Sequence, residues 1–358
     1  MALSSRATIR LLVFVAIATA FTLAWSQFNQ IRLLAIGQPT TTGKLQREME
    51  APFFANLQRI TGLPLNVIYK PLDSTGLKDT FQLQMLKEGS VDLVSLRFIQ
   101  NAQQEPVLSG IDLLGLIQDF AQAKRVTAAY SPTVDRYLQQ AGNARLLAVW
   151  TFGPQVLFCN TSIRRLEDIR GKKVRVASDS IGVVFKELGA TPAVLPFDQT
   201  ENALAIRLID CAVTSAASAN HAGWLKHAKV QFQLPFQFGL NGYAITLGKW
   251  NALSPSQRQV LASTFKAYEK RLWTYSETLE ADVTRCNTGG PCRRAIPYHL
   301  QLVRPSPQDF ALVRAIAHRK VIPAWGESCE RIHPGCLREW QRIFLPLSLQ
   351  SLSSSPAP

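Results

Sequence analysis

Residues 83–96 read LQMLKEGSVDLVSL. Leu83, Met85 and Leu86 crowd one side of a helix, Gly89 closes it, and the run from Val91 to Leu96 has strand character. Residues 203–215, ALAIRLIDCAVTS, repeat that grammar: helix, turn, acid, apolar strand, with Asp92 and Asp210 in matching places. Such a helix–turn–strand step is half of a βαβ unit, and the flanks supply the rest. Residues 31–36 (IRLLAI) and 65–69 (LNVIY) read as strands around a helical pattern from Lys44 to Ile60, with helix 78–89 and strand 91–96 following. The second series runs strand 173–177, helix 180–188, strand 192–196, helix 199–207 and strand 209–214. Alternation of this kind predicts an α/β fold with parallel sheets covered by helices.

An extended run at 144–160, broken by Gly153-Pro154, joins the two series. Two lobes linked by long crossings make a cleft, so the expected architecture is two α/β lobes with crossing hinge strands. The first lobe is assigned to 27–152 and the second to 153–239; 240–285 returns to the first. That return ends in the clearest helix of the chain. Ser254 is its N-cap, Pro255 its first residue and Gln257 completes a capping box. Running to Arg285, it is about 45 Å long and can span both lobes. Helix 121–142 carries Pro132, which fits a kink or a break after one turn.

The first 26 residues stand apart. Arg6 and Arg10 precede an apolar run of 13 residues, 11–23, and Ala24 and Ser26 offer small residues for cleavage. That is the pattern of a secretory signal peptide, and the run is short for a membrane span. Export makes an even cysteine count, six, read as disulfides. Cys286 and Cys292 form one expected loop and Cys329 and Cys336 another, stapling a helical segment at 286–346. Cys159 and Cys211 are either a third pair or two buried thiols. The end, 347–358, is low in complexity and expected to be disordered.

Of 358 residues, 47% are hydrophobic and 18% charged, which is globular composition. The net charge of +14 comes from scattered Lys and Arg, without the runs or motifs of nucleic-acid binding, so nucleic acid is not an expected partner. Either the charge serves solubility or it attracts anions. GQPTTTGK (37–44) sits where a phosphate loop would, but it has five residues between its glycines and Leu45 after its Lys, so nucleotide binding is rejected. The N–H groups there still favour an anion, with Gln38 and Thr40 to Thr42 adding donors. No nucleophile–base motif and no metal-ligand spacing appear; no cofactor, metal or catalytic residue is assigned.

The candidate with chemistry is Arg175, in LEDIRGKKVRVASDS (166–180). Strand parity sets Val174 and Val176 on one face and Lys173 and Arg175 on the other. Lys173 can reach solvent from the strand start. Arg175 lies near the C-terminal end, where open α/β sheets bind ligands. Its planar fork either grips a ligand carboxylate or makes a structural salt bridge.

RRLEDIRGKKVRVAS (164–178), KELGATPAVLPFDQTENAL (186–204) and IDCAVTS (209–215), in that order, resemble solute-binding proteins of tripartite ATP-independent periplasmic (TRAP) transporters, the C4-dicarboxylate-binding-like family. The likeness spans roughly residues 30 to 275. It implies a periplasmic receptor, not an enzyme, that binds a small organic acid between its lobes and delivers it to integral-membrane permease subunits. It also implies that Arg175 pairs with the ligand carboxylate and that Phe197 covers the ligand's carbon body. Thr214 stands where relatives carry an Asn, and Gln155 where many carry a second Arg. Arg97 ends the strand 91–96 where acidic or neutral residues are common, and Arg207 replaces a helix-ending Gly. Trp150 and Phe238 are expected to join Phe197 in excluding water from the cleft. A monomer is expected. The same fold could instead serve a sensor or another transporter class, or an enzyme using Asp179 or Asp198 as base.

Overall fold

The structure, a computed structural model, describes residues 30–353. The expected signal peptide and residues 354–358 lie outside the described residues. Two sheets organise the chain. The first contains β1 (Ile31–Gly37), β2 (Leu65–Pro71), β3 (Leu93–Arg97), β4 (Ala144–Thr151) and β10 (Leu240–Thr246), in the order β2-β1-β3-β10-β4. The second contains β5 (Gln155–Cys159), β6 (Lys173–Val176), β7 (Thr191–Val194), β8 (Cys211–Thr214), β9 (Val230–Gln237) and β11 (Gln301–Val303), in the order β11-β9-β5-β8-β6-β7. Both are covered on two faces, which is why their strands are apolar on both sides. Leu33 and Ala35 of β1 enter one core while Ile36 enters another; Val174 and Val176 of β6 point away from the core that takes Ala212.

The lobes share one plan. In each, three parallel strands (β2-β1-β3 and β7-β6-β8) are followed by an antiparallel pair (β10-β4 and β5-β9). The chain passes between lobes at Phe152 to Pro154, from β4 to β5, and at Phe238-Gly239, from β9 to β10. Gly153 and Gly239 have φ of 97° and 60°, the left-handed region that glycine reaches without strain. The third crossing is the helix Pro255–Asn287, capped by the Ser254/Gln257 box as expected. Trp273 and Ser276 donate to the carbonyls of Val149 and Thr151 in the first lobe. Leu279 and Val283 enter the core of the second, and Asn287 bonds Gln231 and Asn220 there.

Some expectations need correction. The helix Phe120–Ala141 continues through Pro132, so of the two alternatives, kink or break, the break is not seen. Val126, Tyr130, Val134 and Leu138 bury one face of it, and that packing outweighs the missing N–H at Pro132. The C-terminal segment is not purely helical, because β11 pairs with β9 and extends the second sheet. Beyond it the helices Pro307–Ile316, Ile322–Ile332 and Cys336–Ser353 lie against both lobes. Trp325 and Trp340 donate to the carbonyls of Pro106 and Gly110. The last helix continues past 347, where disorder was expected, with Leu347 against the core. All six cysteines are paired: Cys286–Cys292, Cys329–Cys336 and Cys159–Cys211. The last joins directly opposed residues of β5 and β8, resolving the alternative left open by the sequence.

Candidate functional site

Arg175 is the centre of the site. β6 lies between β7 and β8, and the side chain runs along the sheet face toward their C-terminal ends, only 4% exposed. Its Nε donates to the carbonyl of Leu195 at 3.0 Å and its Nη1 to that of Val213 at 3.3 Å. A guanidinium has five N–H groups; these two bonds fix its plane and use two of them. Among the described residues no carboxylate comes within ion-pair distance of it. The structural salt bridge entertained from the sequence is therefore not seen. The rings of Trp224 and Phe197 lie 5.4 and 6.0 Å from the guanidinium carbon and 4.9 Å from each other. Burial pushes the Arg175 pKa down to about 10, with Arg97 pushing the same way and Asp79 and Asp198 opposing. It remains charged at neutral pH, held in place by carbonyl dipoles and aromatic faces.

Thr214 is buried at the end of β8, next to Val213. Lys173, on the same strand as Arg175, is exposed, as its place at the strand start suggests. Across the cleft, Arg97 ends β3 and pairs with Asp79 at 2.7 Å, its guanidinium 5.7 Å from the Phe152 ring at the first crossing. Gln38 is fully buried at the end of β1; its amide N–H groups go to Ser95 and its Oε1 has no hydrogen-bond partner.

The remaining expected positions have contacts within the protein. Gln155 donates to the carbonyl of Gly153 at 2.9 Å and lies against Gly239, so its amide ties the two crossings together. Trp150 is in the first lobe's core, against Phe152 and Tyr243. Phe238 is buried edge-on against Phe120. The rings that lie against Arg175 are Phe197 and Trp224, and Trp224 carried no local signal in the sequence. The turn at 37–44 is also occupied from within: Gln38 N–H donates to Glu50 and Thr40 N–H to Asp73, so the protein's own carboxylates take the donors expected to hold an anion. Arg207 adopts φ 57°, the left-handed region that a helix-ending Gly favours.

A buried carboxylate supports each crossing. Asp112 accepts the N–H of Phe238 at 2.9 Å. Glu280, on the long helix beside Gly153, accepts from Gln233 and leaves Oε2 without a partner. Burial raises both to about 7. No group of three or more His, Cys, Asp or Glu is placed to hold a metal among the described residues. No helix among them is long and apolar enough to cross a membrane.

Two lobes, three crossings and a cation buried at the strand ends between them define a solute-binding protein. The chain belongs to the bacterial extracellular solute-binding proteins, family 7, which its residues 61–286 match. It is 24% identical over 209 residues to the C4-dicarboxylate-binding protein DctB of Bacillus subtilis, covering 57% of this chain and 59% of that one. It is 22% identical over 189 residues to the sialic acid-binding periplasmic protein SiaP of Vibrio cholerae, covering 52% and 59%. It thus spans about three fifths of the length of these curated relatives. Its fold is similar to that of a TRAP periplasmic solute-binding protein from Rhodoferax ferrireducens with bound malonate, with TM-score 0.75, 17% identity and coverage of 90% and 100%. It is also similar to DctP7 of Bordetella pertussis, an extracytoplasmic solute receptor binding pyroglutamic acid, with TM-score 0.74, 15% identity and coverage of 87% and 99%.

Proposed function

We propose that this protein is the periplasmic receptor of a TRAP-type transporter, that it captures a small organic acid in the cleft, and that it hands the acid to integral-membrane permease subunits. The observation that carries the reading is Arg175: a buried cation, held by two carbonyls and two rings, with no carboxylate partner among the described residues. A charge in that position is expensive without a counter-ion, and an arriving carboxylate supplies one. Phe197 and Trp224 keep water from the pair, and Thr214 offers a hydroxyl beside it. Approach of Arg97 and Gln38 from the other lobe, about the crossings at Gly153 and Gly239, closes the cleft over the ligand. Family membership supports the extracellular setting. The basic, apolar and small-residue pattern of residues 1–26 supports export to the periplasm.

The test is a thermal-shift screen of the processed protein against mono- and dicarboxylic acids, run beside Arg175→Ala. A ligand at 100 times its Kd stabilises by about 2.7 kcal/mol. One acid class raising the wild-type Tm and leaving the variant unmoved supports the reading. Equal shifts in both proteins sink it.

A further inference from the structure

We propose that the cleft selects an acid with a single negative charge, and that Asp79 sets this limit by neutralising Arg97. The inference rests on the carboxylate-binding reading above and narrows its ligand. Two guanidiniums stand on strands of the two lobes: Arg175 on β6, and Arg97 at the end of β3 with its guanidinium 5.7 Å from the Phe152 ring at the first crossing; the charge of Arg97 pushes the Arg175 pKa down. On that basis a diacid would seem favoured, with one carboxylate for each. The two are not equivalent, however. Arg175 has no carboxylate partner among the described residues, whereas Arg97 already donates to Asp79 at 2.7 Å, with side chains 15% and 29% exposed. Asp79 is near enough to Arg175 to raise its pKa, as is the more exposed Asp198. A second ligand carboxylate would therefore meet a spent cation with an acid behind it. To be bound it would have to strip Arg97 from Asp79 and leave that aspartate uncompensated, a costly exchange in a desolvated cleft.

The neighbouring group on the first lobe adds to this. Gln38 has its N–H groups committed to Ser95, while its buried Oε1 accepts from nothing. Gln38 is fully buried and has no side-chain N–H left over, so it supplies no donor for a second carboxylate. The chemistry is that of a monocarboxylate, with a neutral group where a diacid would carry its second carboxylate.

The experiment uses pairs of nearly equal shape and unequal charge: malonate against its half-amide, succinate against succinamate, with pyroglutamate as a cyclic monoacid. Titration calorimetry on the processed protein reads the ratio of dissociation constants. The expected result is that at least one monoacid binds ten times more tightly than its diacid partner. Asp79→Asn frees Arg97 and should shift that ratio at least tenfold toward the diacid. Arg97→Gln leaves Asp79 unopposed and should move it the other way. Opposite movements separate a charge effect from simple damage to the cleft. Diacids binding wild type as tightly as their half-amides, or a ratio unmoved by Asp79→Asn, overturns the inference and leaves the receptor reading standing. Failure of every acid to bind overturns both.

Discussion

Arg175 is buried with no carboxylate within ion-pair distance among the described residues, a placement that costs stability. Arg175 loses hydration and gains two carbonyls and two ring faces in return. Replacing it by a similar-sized apolar side chain removes that cost. Arg175→Met is expected to melt no lower than wild type without ligand and to show no ligand-induced shift, as differential scanning calorimetry with and without acid would show. Strand parity and the place near the strand end marked this residue, because one cation interrupting a valine face must either reach solvent or face something charged, and the family resemblance favoured a ligand. Phe197, Thr214 and Arg97 came with the family resemblance, but two companions were not legible. Trp224 follows a short helix with no pattern around it, and Asp79 comes from the other lobe. Trp150 and Phe238 have the composition of site residues, but an aromatic ring beside a hinge suits a core equally well, and only packing decides.

At the scale of elements, the crossings combine glycine freedom with carboxylate clamps. Asp112 and Glu280 have native pKa values of about 7, against about 4 for exposed carboxylates. An acid raised on folding adds stability that is full below about pH 4 and is lost as pH rises through about 7. The Tm should therefore fall between pH 5 and pH 8, and Glu280→Gln should flatten the fall by removing one of the two groups. Calorimetry across that range checks it; an unchanged slope in the variant contradicts it. The disulfides differ in what they constrain. Cys159–Cys211 spans 52 residues, the other two 6 and 7. By loop-closure entropy the long one is worth about 4 kcal/mol and each short one about 2 kcal/mol. Chemical denaturation of the three paired Cys→Ala variants should rank them in that order. Spacing revealed the two short loops from the sequence. The third needed the strand order, since only the adjacency of β5 and β8 brings its cysteines together.

At the scale of the molecule, the lobes meet away from the hinge as well. The turn at Gly43 lies against His221 on the helix Ala216–His221, so close that a Cβ at Gly43 would stand 2.7 Å from the imidazole ring. Gly43→Ala should wedge the cleft mouth and weaken acid binding at least tenfold, and adding His221→Ala should recover most of the loss. Calorimetric titration of the single and double variants tests this, with no recovery pointing to backbone strain at φ 84° instead. The two-lobed plan was legible because each lobe repeats one helix–turn–strand grammar. The arrangement of the C-terminal helices was not: they bury tryptophans against elements far away in sequence, and no local period encodes such docking.

The strand order has a last consequence, for how the molecule comes into being. β10 lies between β3 and β4, so the first sheet is split until residues 240–246 arrive. The second sheet is complete except for its edge strand β11 once residue 237 has emerged. A chain emerging from its N-terminus therefore finishes its later half first, and the earlier half waits with an open seam. A truncation ending at 239 should hold a folded second lobe behind an unfinished first one, and a peptide carrying 240–287 should close the seam when added in trans.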